Sequence, residues 1–274
     1  MIIDAETALF GVLGNPVAHS LSPQMHNRAL SHLGQNGIYL AFQVTDLASA
    51  VCGIRGLGLR GASITLPHKV AIMDYLDHVD PEARAIGAVN TVVNRHSRLH
   101  GYNTDGRGAL RALEEKTPVK NKRVLIIGAG GAARAIGFAV TSAGGRLTIS
   151  NRTRPRGEAL AKDLGAAFLP MDGFSAQHFD ILINTTSVGM NPHSDSQPVD
   201  SRMLAPAMTV MDIVYNPLKT RLLEAAERIG CTVVDGLAMF VYQGALQFEL
   251  WTGIPAPIKE MRETVLKALN PQPD

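Results

Sequence analysis

Cysteine is nearly absent: Cys52 and Cys231 are the only two in 274 residues. Two thiols build no disulfide framework, and neither stands in a metal-ligand spacing. A stapled secreted scaffold and a cysteine-bound metal are therefore excluded, and a reducing cytoplasm is the simplest compartment. Charge of one sign is also scarce. The formal net charge is +2 and no block of like charge occurs, so nothing argues for nucleic acid or a membrane surface as partner. The longest apolar run is glycine-rich, interrupted by Arg134 and too short to span a bilayer. The N-terminus lacks a basic region followed by an apolar one, so no signal peptide is expected. There is no internal repeat and no low-complexity segment. What remains is 46% hydrophobic and 18% charged, the composition of an ordinary globular protein. The length suits one large or two modest domains with a full core.

One stretch organises the rest: Val124-Leu-Ile-Ile-Gly-Ala-Gly-Gly-Ala-Ala-Arg-Ala-Ile-Gly-Phe-Ala-Val140. A β-branched apolar run enters a glycine turn, and the turn opens a segment with helical spacing. Its glycines fit Gly-x-Gly-x-x-Ala. Gly128 serves the tight turn, Gly130 the close approach of backbone to pyrophosphate, and Ala133 the packing of helix on strand. The unpaired N–H groups from Ala129 through Gly130, Gly131 and Ala132 would face the phosphates at the positive end of the helix dipole. Such turns also occur in sheets that bind nothing, so the motif alone is a weak signal.

In the first third, apolar runs at 9–13, 38–44 and 62–66 read as buried strands. Segments at 23–33, 47–57 and 69–79 have helical spacing. The alternation predicts a mostly parallel sheet with helices on its faces, and ligands beyond the carboxyl ends of its strands. In the first such loop Ser22 reads as an N-cap before Pro23, and Ser20 with Ser22 would make a neutral cup for a small carboxylate. His19 fits loop packing better than ligand binding. In the next loop Pro67 stops the strand, leaving Lys69 at a loop-to-helix junction. A lone lysine is usually a solvated surface group. Two further polar inserts, Ala88-Val-Asn-Thr91 and Gly101-Tyr-Asn-Thr-Asp105, supply it with company.

The basic link Lys116-Thr-Pro-Val-Lys-Asn-Lys-Arg123 marks the expected domain boundary. Strands then recur at 124–127, 146–150, 181–183, 209–211 and 231–234, as a doubly wound sheet requires. A strand ending about twenty residues after the glycine turn usually carries the residue that reads the ribose. Here Ser150 gives way to Asn151-Arg152-Thr153. A carboxylate there would repel a 2′-phosphate, whereas the Arg152 guanidinium pairs with one through a planar fork and Thr153 adds a hydroxyl. The alternative is that these arginines are merely solvated at a helix start.

These motifs, in this order, resemble the shikimate dehydrogenase family. They are Asn15-Pro16 with His19-Ser-Leu-Ser-Pro23, Thr65-x-Pro67-x-Lys69, Gly87-Ala-Val-Asn-Thr91 and Asn103-Thr-Asp105 ahead of the dinucleotide turn. Asn184-Thr-Thr-Ser-Val-Gly-Met190, Asp212-Ile-Val-Tyr-Asn-Pro217, Asp235-Gly-x-x-Met239 and Gln243-Gly-Ala-x-x-Phe248 follow it. The resemblance covers nearly the whole chain. It implies an α/β protein of two domains. Residues 1–115 with the helices of 237–274 would form the substrate domain, and residues 116–236 a Rossmann-type NADP-binding domain.

By the same resemblance, Ser20 and Ser22 hold the substrate carboxylate, while Thr65, Asn90 and Gln243 contact ring hydroxyls and Tyr215 reaches the substrate. Lys69 and Asp105 form the catalytic pair. Thr186 lies along the cofactor, as do the residues of the glycine turn, and Met239 packs on the nicotinamide unless it is a plain core methionine. The implied reaction is reversible reduction of 3-dehydroshikimate to shikimate with NADPH, in the route to aromatic amino acids. Reduction of a ring ketone generates an alkoxide that needs a proton donor, a role Lys69 suits with Asp105 orienting it. No metal is implied.

One position departs from the family's commoner pattern: Ser63 stands where asparagine is usual, which leaves quinate and an amino-substituted analogue as rival substrates. A regulatory protein that senses NADP is the rival of another class, and retention of both Lys69 and Asp105 argues against it. Monomer and homodimer are both left open. The Arg152 reading carries an expected outcome: kcat/KM with NADP exceeds that with NAD by about tenfold or more. Comparable values for the two cofactors would refute it.

Overall fold

The apolar run expected as a strand over 9–13 grows by one residue at each end in the computed structural model, which describes residues 3–171 and 178–270. This strand, β1 (Ala8–Gly14), pairs in parallel with β2 (Gly37–Gln43) and β3 (Gly61–Ile64). Beyond β3 lie β5 (Thr91–Arg95), β6 (Arg98–Tyr102) and the short β4 (His78–Val79), giving the order β2-β1-β3-β5-β6-β4. Only β5 runs against the others, because a tight turn at His96 and Ser97, both with positive φ, folds β6 back on it. Helices α1 (Ser22–His32), α2 (Leu47–Gly56) and α3 (Pro81–Ile86) fill the connections. The core between α2 and the sheet is built from Leu13, Ile54, Ala62, Ile64, Ile72, Val92 and Leu99.

Two local expectations are corrected here. The helix predicted over 69–79 is only a short 3-10 turn, Ala71–Tyr75. The chain straightens at Leu76 because the Asp77 carboxylate accepts the Leu99 N–H at 2.7 Å and pairs with Arg55, drawing the segment onto the edge of β6. Nor is Ser22 the N-cap of α1. It is the helix's first residue, and Ser20 Oγ accepts the Ser22 N–H at 3.3 Å, while the Ser22 side chain is buried.

The second sheet is wholly parallel, in the order β12-β11-β10-β7-β8-β9. Its strands are β7 (Arg123–Ile127), β8 (Arg146–Ser150), β9 (Ala167–Phe168), β10 (Ile181–Asn184), β11 (Thr209–Asp212) and β12 (Thr232–Val234). Helices α4 (Asp105–Glu114), α5 (Gly131–Ser142), α6 (Arg154–Asp163) and α7 (Arg221–Ile229) accompany it. Leu125, Leu182, Val210, Leu222 and Leu223 are among its buried core residues. The order reverses between β7 and β10, the place where doubly wound sheets bind ligands.

The chain divides into two compact units, one of residues 1–104 with 243–274 and the other of residues 105–242; the first two and last four residues lie outside the described ones. The long helix α8 (Gly236–Thr252) therefore changes unit at its middle, and α9 (Ile258–Leu269) packs on α1. In the second unit Tyr242 donates to Glu115, and Arg111 lies over the Tyr242 ring at 4.5 Å, fastening the first half of α8 to α4.

Gly106 sets how closely α4 approaches α5, since a Cβ there would stand 2.4 Å from the Ala135 carbonyl oxygen. Backbone cannot yield as a side-chain tip can. Gly106→Ala is expected to lose about 1–3 kcal/mol of stability, measured as a lowered urea midpoint. An unchanged midpoint would show that the helices slide apart freely.

Candidate active site

In the first sheet, loops rich in polar side chains gather at one edge. The register pairs Leu13 with Ile64, Ser63 with Thr91, and Thr91 with Tyr102. The segments after β1, after β3, before β5 and after β6 therefore leave the sheet at the same end. Those segments hold Ser20 and Ser22, Thr65 and Lys69, Asn90, and the run leading to Asp105.

Backbone bonds tie them together. Val89 N–H donates to the Lys69 carbonyl at 2.8 Å, and Ile64 N–H to the Asn90 carbonyl at 2.8 Å. The Asn90 side chain donates to Thr104 Oγ1 and accepts the Thr104 N–H, both at 2.9 Å. Asn103 donates to the Ala88 carbonyl at 3.0 Å. Asp105, next in the chain, opens α4 and is buried. Thr65 is half-buried against Gly14, Lys69 is half-buried, and Gln243 is buried on α8.

Ser20, Ser22, Thr65, Lys69, Asn90 and Gln243 thus belong to the first unit, and Asp105, Tyr215 and every residue assigned to the cofactor to the second. Tyr215 stacks on Phe240 with ring centroids 4.6 Å apart, and burial pushes its phenol pKa up.

The dinucleotide turn has the features a bound pyrophosphate needs. Gly128 has φ +120° and lies so close to β10's end that a Cβ would meet Thr185 Oγ1 at 2.4 Å. Gly130 and Gly131 are exposed, and an added Cβ would meet nothing within 4 Å at either. No packing demand accounts for them; they leave the N–H groups at the start of α5 uncovered. Ala133 is fully buried, as helix-on-strand packing requires. Ala129 and Ala132 are half-buried in the same turn. At the end of β8, Asn151 donates to the Thr153 carbonyl at 2.8 Å, which turns the chain so that Arg152 and Thr153 stand exposed ahead of α6.

Sequence reasoning missed the groups that hold these loops in place. Asp212, buried at the end of β11, accepts from Asn184 Nδ2 at 2.9 Å, Val214 N–H at 3.1 Å and Thr220 Oγ1 at 2.7 Å. Asn184 in turn accepts from the Thr186 hydroxyl at 2.7 Å. Met239 is buried on α8. In the first unit Gln247, buried four positions after Gln243, bonds Asn90 and Thr91. Its helical spacing from Gln243 was the available signal.

A parallel sheet with an exposed glycine turn at its switch point and an arginine beyond β8, in one chain with a lysine among polar loops, defines the class: a dinucleotide-dependent oxidoreductase. The profile of the shikimate dehydrogenase substrate-binding domain matches residues 12–92, that of shikimate/quinate 5-dehydrogenase residues 111–214, and that of the shikimate 5′-dehydrogenase C-terminal domain residues 236–266. An NADP(+) shikimate dehydrogenase of Moorella thermoacetica is 48% identical, covering 98% of this chain and 96% of its own. A shikimate dehydrogenase solved in complex with NADP+ superposes with a TM-score of 0.95 at 41% identity, covering 98% of each chain. The Thermus thermophilus enzyme, solved with NADP(H) and shikimate, gives 0.91 at 42% identity over 96% of this chain and all (100%) of its own. The chain belongs to the shikimate dehydrogenase family.

Burial raises the Asp212 pKa from 3.8 to about 6, against the opposing bonds from Thr220, Val214 and Asn184. A folded-state pKa above the unfolded one contributes stability that is whole below about pH 4 and is lost as pH rises through about 6. Asparagine at 212 would keep an oxygen for Asn184 and Val214 and offer its amide to Thr220. Asp212→Asn is therefore expected to be more stable than the parent at neutral pH, by up to about 3 kcal/mol, with the difference vanishing near pH 4. Urea midpoints across that range check this, and parallel pH profiles for the two proteins would count against it.

Proposed function

We propose that this protein catalyses the reversible, NADPH-dependent reduction of 3-dehydroshikimate to shikimate. The observation that carries the reading is the single sheet edge at which the loops of Ser20, Ser22, Thr65, Lys69 and Asn90 converge, together with an open dinucleotide turn. The cofactor supplies the hydride. Gly128, Gly130 and Gly131 would present backbone N–H groups to its pyrophosphate, with Ala129, Ala132 and Ala133 forming the rest of the turn. Asn151, Arg152 and Thr153 would take the 2′-phosphate, and Thr186 and Met239 the nicotinamide side.

Ser20 and Ser22 anchor the substrate carboxylate by hydroxyl donation. Thr65, Asn90 and Gln243 fix the ring hydroxyls, and Tyr215 reaches the substrate. As hydride reaches the ketone carbon, negative charge develops on oxygen; the Lys69 ammonium gives that oxygen a proton, and Asp105 holds the lysine in line. In the oxidation direction Lys69 takes the proton back. Apart from Tyr215 and Asp105, the residues assigned to the substrate fall in the first unit, and those assigned to NADP in the second. The cytoplasm is the compartment that the cysteine content favours.

Initial rates, followed by the absorbance of reduced nicotinamide with shikimate and quinate against NADP and NAD, test the reading. Turnover confined to shikimate with NADP is expected, and silence with shikimate would end it. Lys69→Ala is expected to cut turnover by about a hundredfold or more while leaving NADP affinity nearly unchanged. Surviving turnover would remove Lys69 from the proton path.

A further inference from the structure

The Asn90 amide is gripped by the protein on both of its polar atoms. Its Oδ1 accepts the Thr104 N–H at 2.9 Å and the Thr91 hydroxyl at 2.6 Å, and the Thr104 hydroxyl lies 3.3 Å from it. Its Nδ2 donates to Thr104 Oγ1 at 2.9 Å. Behind Thr91 stands Gln247, on the second half of α8. Gln247 Nε2 donates to the Asn90 main-chain carbonyl and to Thr91 Oγ1, both at 3.0 Å. Its Oε1 accepts the Ser63 hydroxyl at 2.7 Å, and Ser63 Oγ accepts the Tyr39 hydroxyl at 2.7 Å. Tyr39, Ser63, Asn90, Thr91, Thr104 and Gln247 are all buried.

The direction of every bond follows from one group. A main-chain carbonyl only accepts, so the Gln247 nitrogen must face Asn90 and the Gln247 oxygen must face Ser63. Ser63 therefore gives its proton to Gln247 and has none to give a ligand. Both Gln247 nitrogen protons are spent, one on the carbonyl and one on Thr91 Oγ1. Thr91 then turns its own proton to Asn90 Oδ1. An amide oxygen has two lone pairs, and the Thr104 N–H and the Thr91 hydroxyl take them both. What Asn90 offers a ligand it offers from Nδ2, as a donor.

We propose that Gln247, acting through Thr91, is a positioning residue that fixes Asn90 as a hydrogen-bond donor toward the substrate, so that this subsite takes a ring hydroxyl and refuses an ammonium. A hydroxyl oxygen has lone pairs for the Nδ2 proton, whereas an ammonium has none and sets donor against donor. The amino-substituted analogue is thereby disfavoured in its protonated form. Ser63 serves by holding Gln247, which gives its departure from asparagine an indirect role. The proposal rests on the assignment of Asn90 to a ring hydroxyl made above. Lys69 and Asp105 lie on the segments adjoining Asn90, and repulsion by the Lys69 charge is the competing cause that the test separates.

Steady-state kinetics compare shikimate with analogues in which a ring hydroxyl other than the one oxidised is replaced by hydrogen or by an amine. The hydroxyl that Asn90 holds is the one whose removal no longer raises KM in Asn90→Ala. For the wild-type enzyme the matching amine analogue is expected to show a KM at least about tenfold above that of shikimate while protonated. Relative to shikimate, the gap should narrow as pH rises through the amine's own pKa. Asn90→Ala should lift the refusal; if it persists there, Lys69 repels the ammonium and the donor assignment falls. Thr91→Val and Gln247→Leu are expected to shrink the advantage of shikimate over the hydrogen analogue by about three- to tenfold, in KM with kcat near the parent's. Thr91→Ser, which keeps the hydroxyl, should retain that advantage. A general loosening of the fold would raise KM for both compounds alike. If Gln247→Leu fails to fold, the two Thr91 variants decide. An undiminished advantage in Thr91→Val overturns the relay from Gln247 alone. An unchanged shikimate KM in Asn90→Ala overturns the hydroxyl assignment and this proposal with it.

Discussion

The near-contact of Gly128 with Thr185 is the constraint on which the second unit's function depends. No side chain fits between the end of β7 and the end of β10, so the two loops at the switch point are held within van der Waals reach. The Thr185 hydroxyl closes the gap by donating to the Ile127 carbonyl at 2.7 Å. Helix α5 begins three residues after Gly128, at Gly131, with no side-chain cap, so its first N–H groups lack intrahelical partners. Arg152 follows the end of β8, which lies beside β7, and Asn151 turns the chain sharply once it has left the sheet.

The first unit solves a different problem, that of keeping polar side chains in place without water. Asn90, Thr91, Thr104 and Gln247 satisfy one another in a dense buried network, where each unmet donor or acceptor would cost free energy. Such a network tolerates few arrangements. Order in these loops is accordingly a product of hydrogen bonding as much as of hydrophobic packing, and Gln247 of α8 contributes to it from far along the chain.

Much of this was legible in the sequence because the signals are local. β1, β7, β8, β10 and the helix α9 follow from apolar periodicity, and the glycine turn from its spacing. What escaped notice is non-local. The strands β5 and β6 are short and carry Asn94, Arg95 and Arg98, so their alternation is masked, and only the antiparallel pairing shows them as strands. The helix predicted after Lys69 was overridden by Asp77 bonding to Leu99, a tertiary contact that propensity does not contain. Ser22 looked like a cap because serine before proline usually is one. Its side chain is buried instead, and the helix starts on it. Ser63 was noticed as a departure from the family's commoner asparagine, and its partners Tyr39 and Gln247 could be found only in three dimensions.

The bond from Val89 N–H to the Lys69 carbonyl has a consequence for anyone who would re-engineer this protein. Together with the bond from Ile64 to Asn90, it makes the loop after β3 and the loop before β5 a single mechanical part. They are not interchangeable cassettes. A graft that replaced one and kept the other would have to reproduce a foreign backbone register at both hydrogen bonds. Changes are better placed at the β5–β6 turn, where His96 and Ser97 lie exposed and neither of these two hydrogen bonds is touched.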